Sequence, residues 1–295
     1  MSASLLVLIP PAVLAAVLLL CFVGCTNEYR PFDVLRPSNY STDTILPTPG
    51  LVAYWPLGEM PGETTAVDLK GGHDGEYVKD QVFPAEAQGA YADGTLVLGS
   101  PGIVLHDTVA PHDANSPRST CMWTDGGYVS VDDFAAFNPT KAFTLEAWVS
   151  VASSAGTTPA FRTVIASLES VGGFKGFVLL ATPDNQWAAL IGNGTDLNTQ
   201  ATGGGTLMVE TTYHLVATYD GADLTLYVNG APNPPKPADY HPAAANPLYI
   251  GASRPDLPQP HFPFNGNIQC VAVYDMALGA ATVLQHYQSG IGPGS

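Results

Sequence analysis

The stretch Phe143-Thr-Leu-Glu-Ala-Trp-Val149 decides how the chain is read. Side chains on a strand alternate between two faces, so Phe143, Leu145, Ala147 and Val149 share one side and Thr144, Glu146 and Trp148 the other. Both sides carry a large apolar group, which places the strand in the middle of a sheet. Around it, short runs rich in Val, Ile, Thr, Tyr, Phe and Trp recur between clusters of Gly, Pro, Asn and Asp, the pattern of an all-β sandwich or barrel. The clearest are residues 51–57, 127–131, 163–168, 174–181, 187–191, 213–219, 224–228, 248–250 and 268–274. Asp220-Gly221 lies between two of these runs, where a glycine takes up the positive φ of a tight turn, and predicts a hairpin over 213–229. In the second arm of that hairpin, Leu224, Leu226 and Val228 form a dry face, while Thr225 and Tyr227 form a half-wet one.

Composition narrows the function classes. With 46% apolar residues, the 295-residue chain can bury a sizeable core. Only 12% of it is charged, against roughly 25% in an average soluble protein, which suits a turn-rich β protein. Asp and Glu outnumber Lys and Arg by 26 to 10, a net charge of −16 that repels phosphate backbones and excludes nucleic acid as a partner. Divalent cations fit such a field as ionic partners. The alternative is that the acidity only keeps an exported protein soluble.

Residues 5–23 are apolar without a single charge, long enough to cross a bilayer as a helix. A positive n-region is missing, and Pro10-Pro11 would kink a helix near its start. The end of the segment, Phe22-Val-Gly-Cys25, resembles the lipobox of bacterial lipoproteins, with Phe22 in place of the usual Leu. That resemblance implies lipidation at Cys25; cleavage elsewhere and a retained anchor helix are the alternatives. The expected organisation is a signal or anchor segment over 1–25, an extended Pro/Ser/Thr-rich stalk over 26–49 and an all-β domain over 50–290, with a long insertion at about 81–120 that contains a strand at 95–98.

The order of motifs within 50–290 resembles the laminin G-like jelly roll of the concanavalin A-like kind. It opens with Leu51-Val-Ala-Tyr-Trp-Pro-Leu-Gly-Glu59 and the loop from Val67-Asp68 to Asp74-Gly75. The motifs beginning at Gly126, Phe143, Tyr213, Leu226 and Leu248 follow in the family's order, and a closing strand with a short helix around 283–287 completes it. The resemblance implies a two-sheet antiparallel sandwich that binds a ligand, and a calcium ion with Asp68 and Asp74 among its ligands. Gln269 stands where the family commonly has an acidic residue. The alternative is that Asp68 and Asp74 shape a turn.

Fold relatives include glucanases, whose chemistry needs two carboxylates facing each other across a glycosidic bond. The pattern Glu-x-Asp-x-x-Glu is absent, and Glu146 is the one carboxylate within a strong central strand, so no catalytic residue is assigned and no enzyme is expected. Trp123, Trp187 and Tyr227 are candidate sugar platforms, or core aromatics. Export would let Cys121 pair with Cys270, with buried free thiols as the alternative. His106-Asp107 and His112-Asp113 are metal-like pairs that also fit a solvated loop. The expected function is an exported, membrane-tethered, non-catalytic module that recognises carbohydrate or a cell-surface protein through rim loops. A structural protein of a surface coat or filament is the alternative, and a glycoside hydrolase is a third reading.

Overall fold

The computed structural model describes residues 39–79, 94–104, 107, 119–132, 139, 141–152, 160–197, 199–243, 247–253 and 262–292, all within the unit Ser38–Ser295. A π-helical turn, Tyr40–Ile45, comes first. It is followed by β1 (Leu51–Trp55), β2 (Thr65–Ala66), β3 (Gly75–Val78), β4 (Thr95–Pro101), β5 (Thr120–Asp125) and β6 (Tyr128–Val131). The long β7 (Phe143–Val151) leads into β8 (Arg162–Glu169), β9 (Lys175–Ala181), β10 (Trp187–Ile191) and β11 (Thr199–Gly203). Next come β12 (Thr212–Tyr219), β13 (Asp223–Val228), β14 (Ala231–Pro232), β15 (Lys236–Pro237) and β16 (Leu248–Ile250). β17 (Asn265–Tyr274) and the helix α1 (Ala280–Ile291) close the chain.

The strands form two antiparallel sheets. One has nine strands, ordered β14-β13-β12-β7-β17-β5-β4, with β1 beside β17 and β15 beside β13. The other has eight, ordered β11-β10-β9-β8-β16-β6-β3-β2. This is the expected two-sheet sandwich with one short C-terminal helix. All nine residues of β7 are buried, as its two apolar faces require. Phe143, Leu145, Ala147 and Val149 enter the core between the sheets, together with Phe177, Leu179 and Trp187 from the other layer. Each of the larger of these side chains contributes about 1.5–3 kcal/mol on burial.

The opposite face of β7 is covered as well. Trp148 belongs to an outer cluster with Tyr40 and Ile45 of the π-helical turn, Tyr227 of β13, Tyr274 of β17 and Val283 of α1. On α1, Val283, His286, Tyr287, Gly290 and Ile291 recur at helical spacing and make the face turned to the sheet. The stalk expected over 26–49 is therefore wrong at its end. Tyr40 and Ile45 pack under α1, and the side-chain oxygen of Asn39 accepts the Thr42 N–H at 3.2 Å to start the turn. Within the long insertion, the strand expected at 95–98 runs on to Pro101, while 80–93, 105, 106 and 108–118 lie outside the described residues.

The 213–229 hairpin forms as expected, with Tyr219 opposite Leu224. Asp220 Oδ1 accepts the N–H groups of Ala222 and Asp223 at 2.9 and 2.8 Å, and Gly221 sits at φ +100°. Tyr227, read as half-wet, is buried because α1 and the π-helical turn cover its face.

Candidate binding site

The outer face of the nine-stranded sheet carries a buried carboxylate at its centre. Glu146 Oε1 accepts the Tyr40 hydroxyl at 2.7 Å and lies 2.8 Å from His214 Nε2. Oε2 accepts the Tyr274 hydroxyl at 3.0 Å, and His286 Nδ1 lies 3.1 and 3.0 Å from the two oxygens. Five elements thus meet on one side chain: β7, β12, β17, the π-helical turn and α1. Burial alone would raise the Glu146 carboxyl, but the His286 charge, with hydrogen bonds from both imidazoles and the His214 charge, outweighs it and holds the group well below the usual carboxylate range. Burial opposes the His286 charge, yet Glu146 raises that imidazole overall. A buried charge is tolerable only when paired and hydrogen-bonded in this way. The arrangement clamps both terminal elements to the sheet.

Beside this cluster, the end of α1 and the segment at Gly102 and Ile103 leave a cleft of about 470 Å³, lined also by Trp148, Thr212, Tyr287, Gly290 and Ile291. Gly290 has a packing reason: a Cβ there would overlap the Trp148 ring, so only glycine lets the helix come this close. The Trp148 ring lies 4.7 Å from His214 and, nearly parallel, 6.0 Å from Tyr287. Trp148 is 1% exposed, and its Nε1–H finds no acceptor among the described residues. Leaving such a donor unmatched costs about 1–3 kcal/mol.

A cross-strand row leads to the cleft. Trp123 pairs with Asn267, Asn267 with Ser150, and Ser150 with Thr212. Directly opposed residues share a face. Their neighbours Met122, Ile268, Val149 and Tyr213 all point into the core, so the row lies on the outer face. At about 4.8 Å per strand, Trp123 stands about 14 Å from Thr212.

The three expected platforms therefore separate. Trp123 is half-buried on the outer face, Trp187 is fully buried in the core against Tyr213, and Tyr227 is buried beneath α1. Sequence reasoning missed Trp148, Thr212 and Tyr287; the signal was the large aromatic on the second face of β7.

Asp68 and Asp74 are close together, but as placed they do not fit a calcium site. Asp68 is buried; its Oδ1 accepts the N–H groups of Tyr54 and Lys70 at 2.8 and 2.9 Å, and its Oδ2 accepts that of His73 at 3.2 Å. Asp74 Oδ1 accepts the Asp68 N–H at 2.8 Å. A cation would compete with these donors, and no group of three or more metal-ligating side chains occurs among the described residues. Gln269 is engaged on both ends of its amide. Its Oε1 accepts the N–H groups of Ile103 and Val104 at 2.8 and 3.0 Å, and its Nε2 donates to Ser119 at 2.6 Å, which an acid could not match.

Cys121 and Cys270 are buried free thiols, not the expected disulfide. The register of Ile268 with Met122 sets Cys121 toward Gln269, and Cys270 sits in a bulge at φ +54°. Cys121 donates to Pro101 O at 3.1 Å, and Cys270 to Asp107 at 3.2 Å. Asp107, expected in a solvated loop, is buried and also accepts the Ser41 hydroxyl at 2.8 Å. Its partner His106, the pair His112-Asp113, residues 5–23 and Cys25 lie outside the described residues. No helix among the described residues is long and apolar enough to cross a membrane.

On the other sheet, a second cleft of about 560 Å³ is lined by Phe161, Phe174, Leu180 and Phe262, with Ser170 and Ser253 as polar neighbours.

A family model described as the concanavalin A-like lectin/glucanases superfamily matches residues 124–284, more than half of the chain. No curated protein matches. Among solved structures, Trypanosoma rangeli sialidase in complex with 2-keto-3-deoxy-D-glycero-D-galacto-2,3-difluoro-nononic acid is 17% identical at a TM-score of 0.54, over 84% of this chain and 34% of that one. The same organism's sialidase in complex with sialic acid is 16% identical at a TM-score of 0.54, over 84% and 35%. The chain spans about a third of those enzymes' length, and at that identity the likeness is one of fold.

Proposed function

The chain belongs to the concanavalin A-like lectin/glucanases superfamily, and from that footing we propose that it is an exported, membrane-tethered module that binds carbohydrate and catalyses no reaction. The observation that carries the reading is the outer-face row of Trp123, Asn267, Ser150 and Thr212, which ends in a cleft walled by Trp148 and Tyr287. An aromatic surface with polar groups in line suits a sugar, whose rings present C–H faces to aromatics and hydroxyls to their neighbours. The structural relatives that bind sialic acid or its analogues agree in fold with this reading and add no site.

Catalysis is disfavoured by the surroundings of the strand carboxylate. Glycosidases work with two carboxylates across the bond, or in sialidases with a tyrosine nucleophile. Tyr40 and Tyr274 both donate to Glu146, but all three are fully buried, and burial, then the Glu146 charge, pushes both hydroxyls well above the usual phenol range. A nucleophile needs the opposite. The tether rests on the apolar residues 5–23 and on Cys25; mass spectrometry of the mature amino terminus tests it.

The deciding experiment is a glycan array with the intact protein, followed by assays for released reducing ends and released sialic acid on every glycan retained. Binding without turnover is expected. Turnover lost in Glu146→Gln would overturn the non-catalytic reading, and silence on every glycan with ordered self-association would favour an assembly protein.

A further inference from the structure

We propose that the cleft on the outer face of the eight-stranded sheet binds one soluble, uncharged molecule with a single straight alkyl chain. The inference goes beyond the carbohydrate reading and stands or falls without it, because it concerns the other sheet.

The residues of that sheet carry it first. Cross-strand register puts Ala166 of β8, Val178 of β9 and Leu190 of β10 in one row, and Leu180 of β9 and Ala188 of β10 in the next. They cluster together outside the core, and Leu168 follows two places after Ala166 on the same side. An antiparallel sheet with one wetted face alternates apolar inward and polar outward positions, whereas these strands are apolar on both faces. On the nine-stranded sheet the same pattern is answered by α1 and the π-helical turn, which cover it. Both described helices are spent there, and over the β8–β10 face it is Leu197, from the connection between β10 and β11, that packs as a loop residue.

The shape of the cleft then points to a small molecule. Phe161 and Phe262, 5.3 Å apart and edge to face, form one wall. Phe262 is held there because its carbonyl accepts the Thr163 N–H at 2.9 Å. Phe161 and Val171 line the opening at 37% and 68% exposure. A volume of about 560 Å³ lies within the range of small-molecule pockets. Leu168 and Leu190 on the floor are two strands and two residues apart, a diagonal of about 12 Å. An extended chain advancing roughly 1.2 Å per bond covers that span in about ten bonds; a single aromatic ring would leave part of it empty.

The lining also favours an uncharged ligand, since it contains no ionisable side chain. Among the described charges beside it in sequence, Glu169 and Lys175 pair at 3.0 Å, Arg162 stands opposite the core residue Ala181 and donates to Asn185 at 3.2 Å, and Asp196 is exposed. Ser170 and Ser253 bring the hydroxyls of the lining, which suit a hydroxyl or ether head.

The test uses the intact protein with labelled Leu and Val methyl groups, kept in solution by CHAPS, a detergent without an alkyl chain. The Leu190 and Val171 signals are assigned through Leu190→Met and Val171→Ala, and alkan-1-ols from hexanol to dodecanol are titrated in turn. Both signals are expected to shift and saturate. Affinity should rise about fourfold per added methylene, the transfer value of one buried CH₂, and level off at about ten carbons. Decan-1-ol should bind roughly tenfold more weakly to Phe161→Ala, which opens the wall, and several-fold more weakly to Val171→Asp, whose position is too exposed to govern folding.

No saturable shift with any alkanol would overturn the site, as would wild-type affinity in both variants. Affinity that climbs through dodecanol without levelling would overturn the bounded cleft. 2-Phenylethanol binding more tightly than octan-1-ol would replace the chain by a ring, and decanoate binding more tightly than decan-1-ol would overturn the uncharged head. Phosphatidylcholine vesicles that move the Leu190 signal of wild type but not of Val171→Asp would overturn the single soluble molecule in favour of a lipid surface.

Discussion

His286 Nδ1 lies within 3.1 Å of both carboxylate oxygens of Glu146, joining the C-terminal helix to the central strand across 140 positions of sequence. Because Tyr40 reaches the same carboxylate, the two ends of the described chain are held by one buried anion. Glu146→Gln removes the charge and leaves His286 without its counter-ion, a change that costs about 3–5 kcal/mol in buried pairs. Chemical denaturation of the variant should show that loss, and glycan binding corrected for the folded fraction should stay unchanged.

The same pair sets a pH dependence. Glu146 is held below its ordinary 4.5, so its contribution is full above that value and is lost as pH falls through the lower folded value. His286 is held above its ordinary 6.5, so the native state keeps a proton that the unfolded chain releases, and its contribution is full below 6.5 and lost as pH rises through the higher folded value. Glu59 opposes the first limb, since burial raises its carboxyl. The clean measurement is therefore a difference. The melting temperature of wild type minus that of His286→Gln should be greatest between about pH 5 and 6 and shrink toward pH 9. A difference that grows with pH would refute the pair.

Tyr40 offers a narrower check. Tyr40→Phe keeps the ring against Trp148, 5.8 Å away, and removes only the hydroxyl that Glu146 accepts. A loss of about 1–3 kcal/mol is expected for unmatching a buried charged acceptor. A chain beginning at Leu46, which lacks Tyr40 and Ile45, should melt lower than one beginning at Asn39.

These elements differ in how far the sequence reveals them. β7 was legible because both its faces are buried, so alternation and density agree. β5 was not, because Thr120-Cys-Met-Trp-Thr-Asp125 mixes polar and apolar groups on each face; its inward Thr124 is satisfied by the carbonyl of Gly127 just beyond the strand and by that of Thr95 on β4. The π-helical turn hides in a composition that reads as linker, and its buried Tyr40 and Ile45, five apart, match neither the helix nor the strand period. Trp187 and Tyr227 misled because a core aromatic and a sugar platform are the same residue types. The cleft needed Gly290 and Trp148 brought together from 142 positions apart, which no local pattern encodes.

The thiols give a chemical test of the sheet register. Burial pushes Cys121 up to about 12 and Cys270 well above its usual range, so neither supplies the thiolate that exchange chemistry needs. A thiol reagent should label neither in the native protein and both after denaturation, and reductant should not move the melting temperature. A fall of several degrees with reductant would show a bridge.

Asp68 decides the metal question. Its carboxylate accepts the N–H of Tyr54 on β1 and those of Lys70 and His73 in the loop between β2 and β3, so the negative charge is already matched by backbone donors. Asp68→Ala leaves those donors buried or half-buried without acceptors and should cost about 2–3 kcal/mol, while Asp68→Asn, which keeps one oxygen for Tyr54 and Lys70, should cost less than half of that. If hydrogen bonding is the whole role, millimolar calcium and a chelator should give the same melting curve, in wild type and in both variants. A saturable rise with calcium that Asp68→Asn abolishes would mean that the ion displaces the His73 N–H and that the loop is a metal site after all.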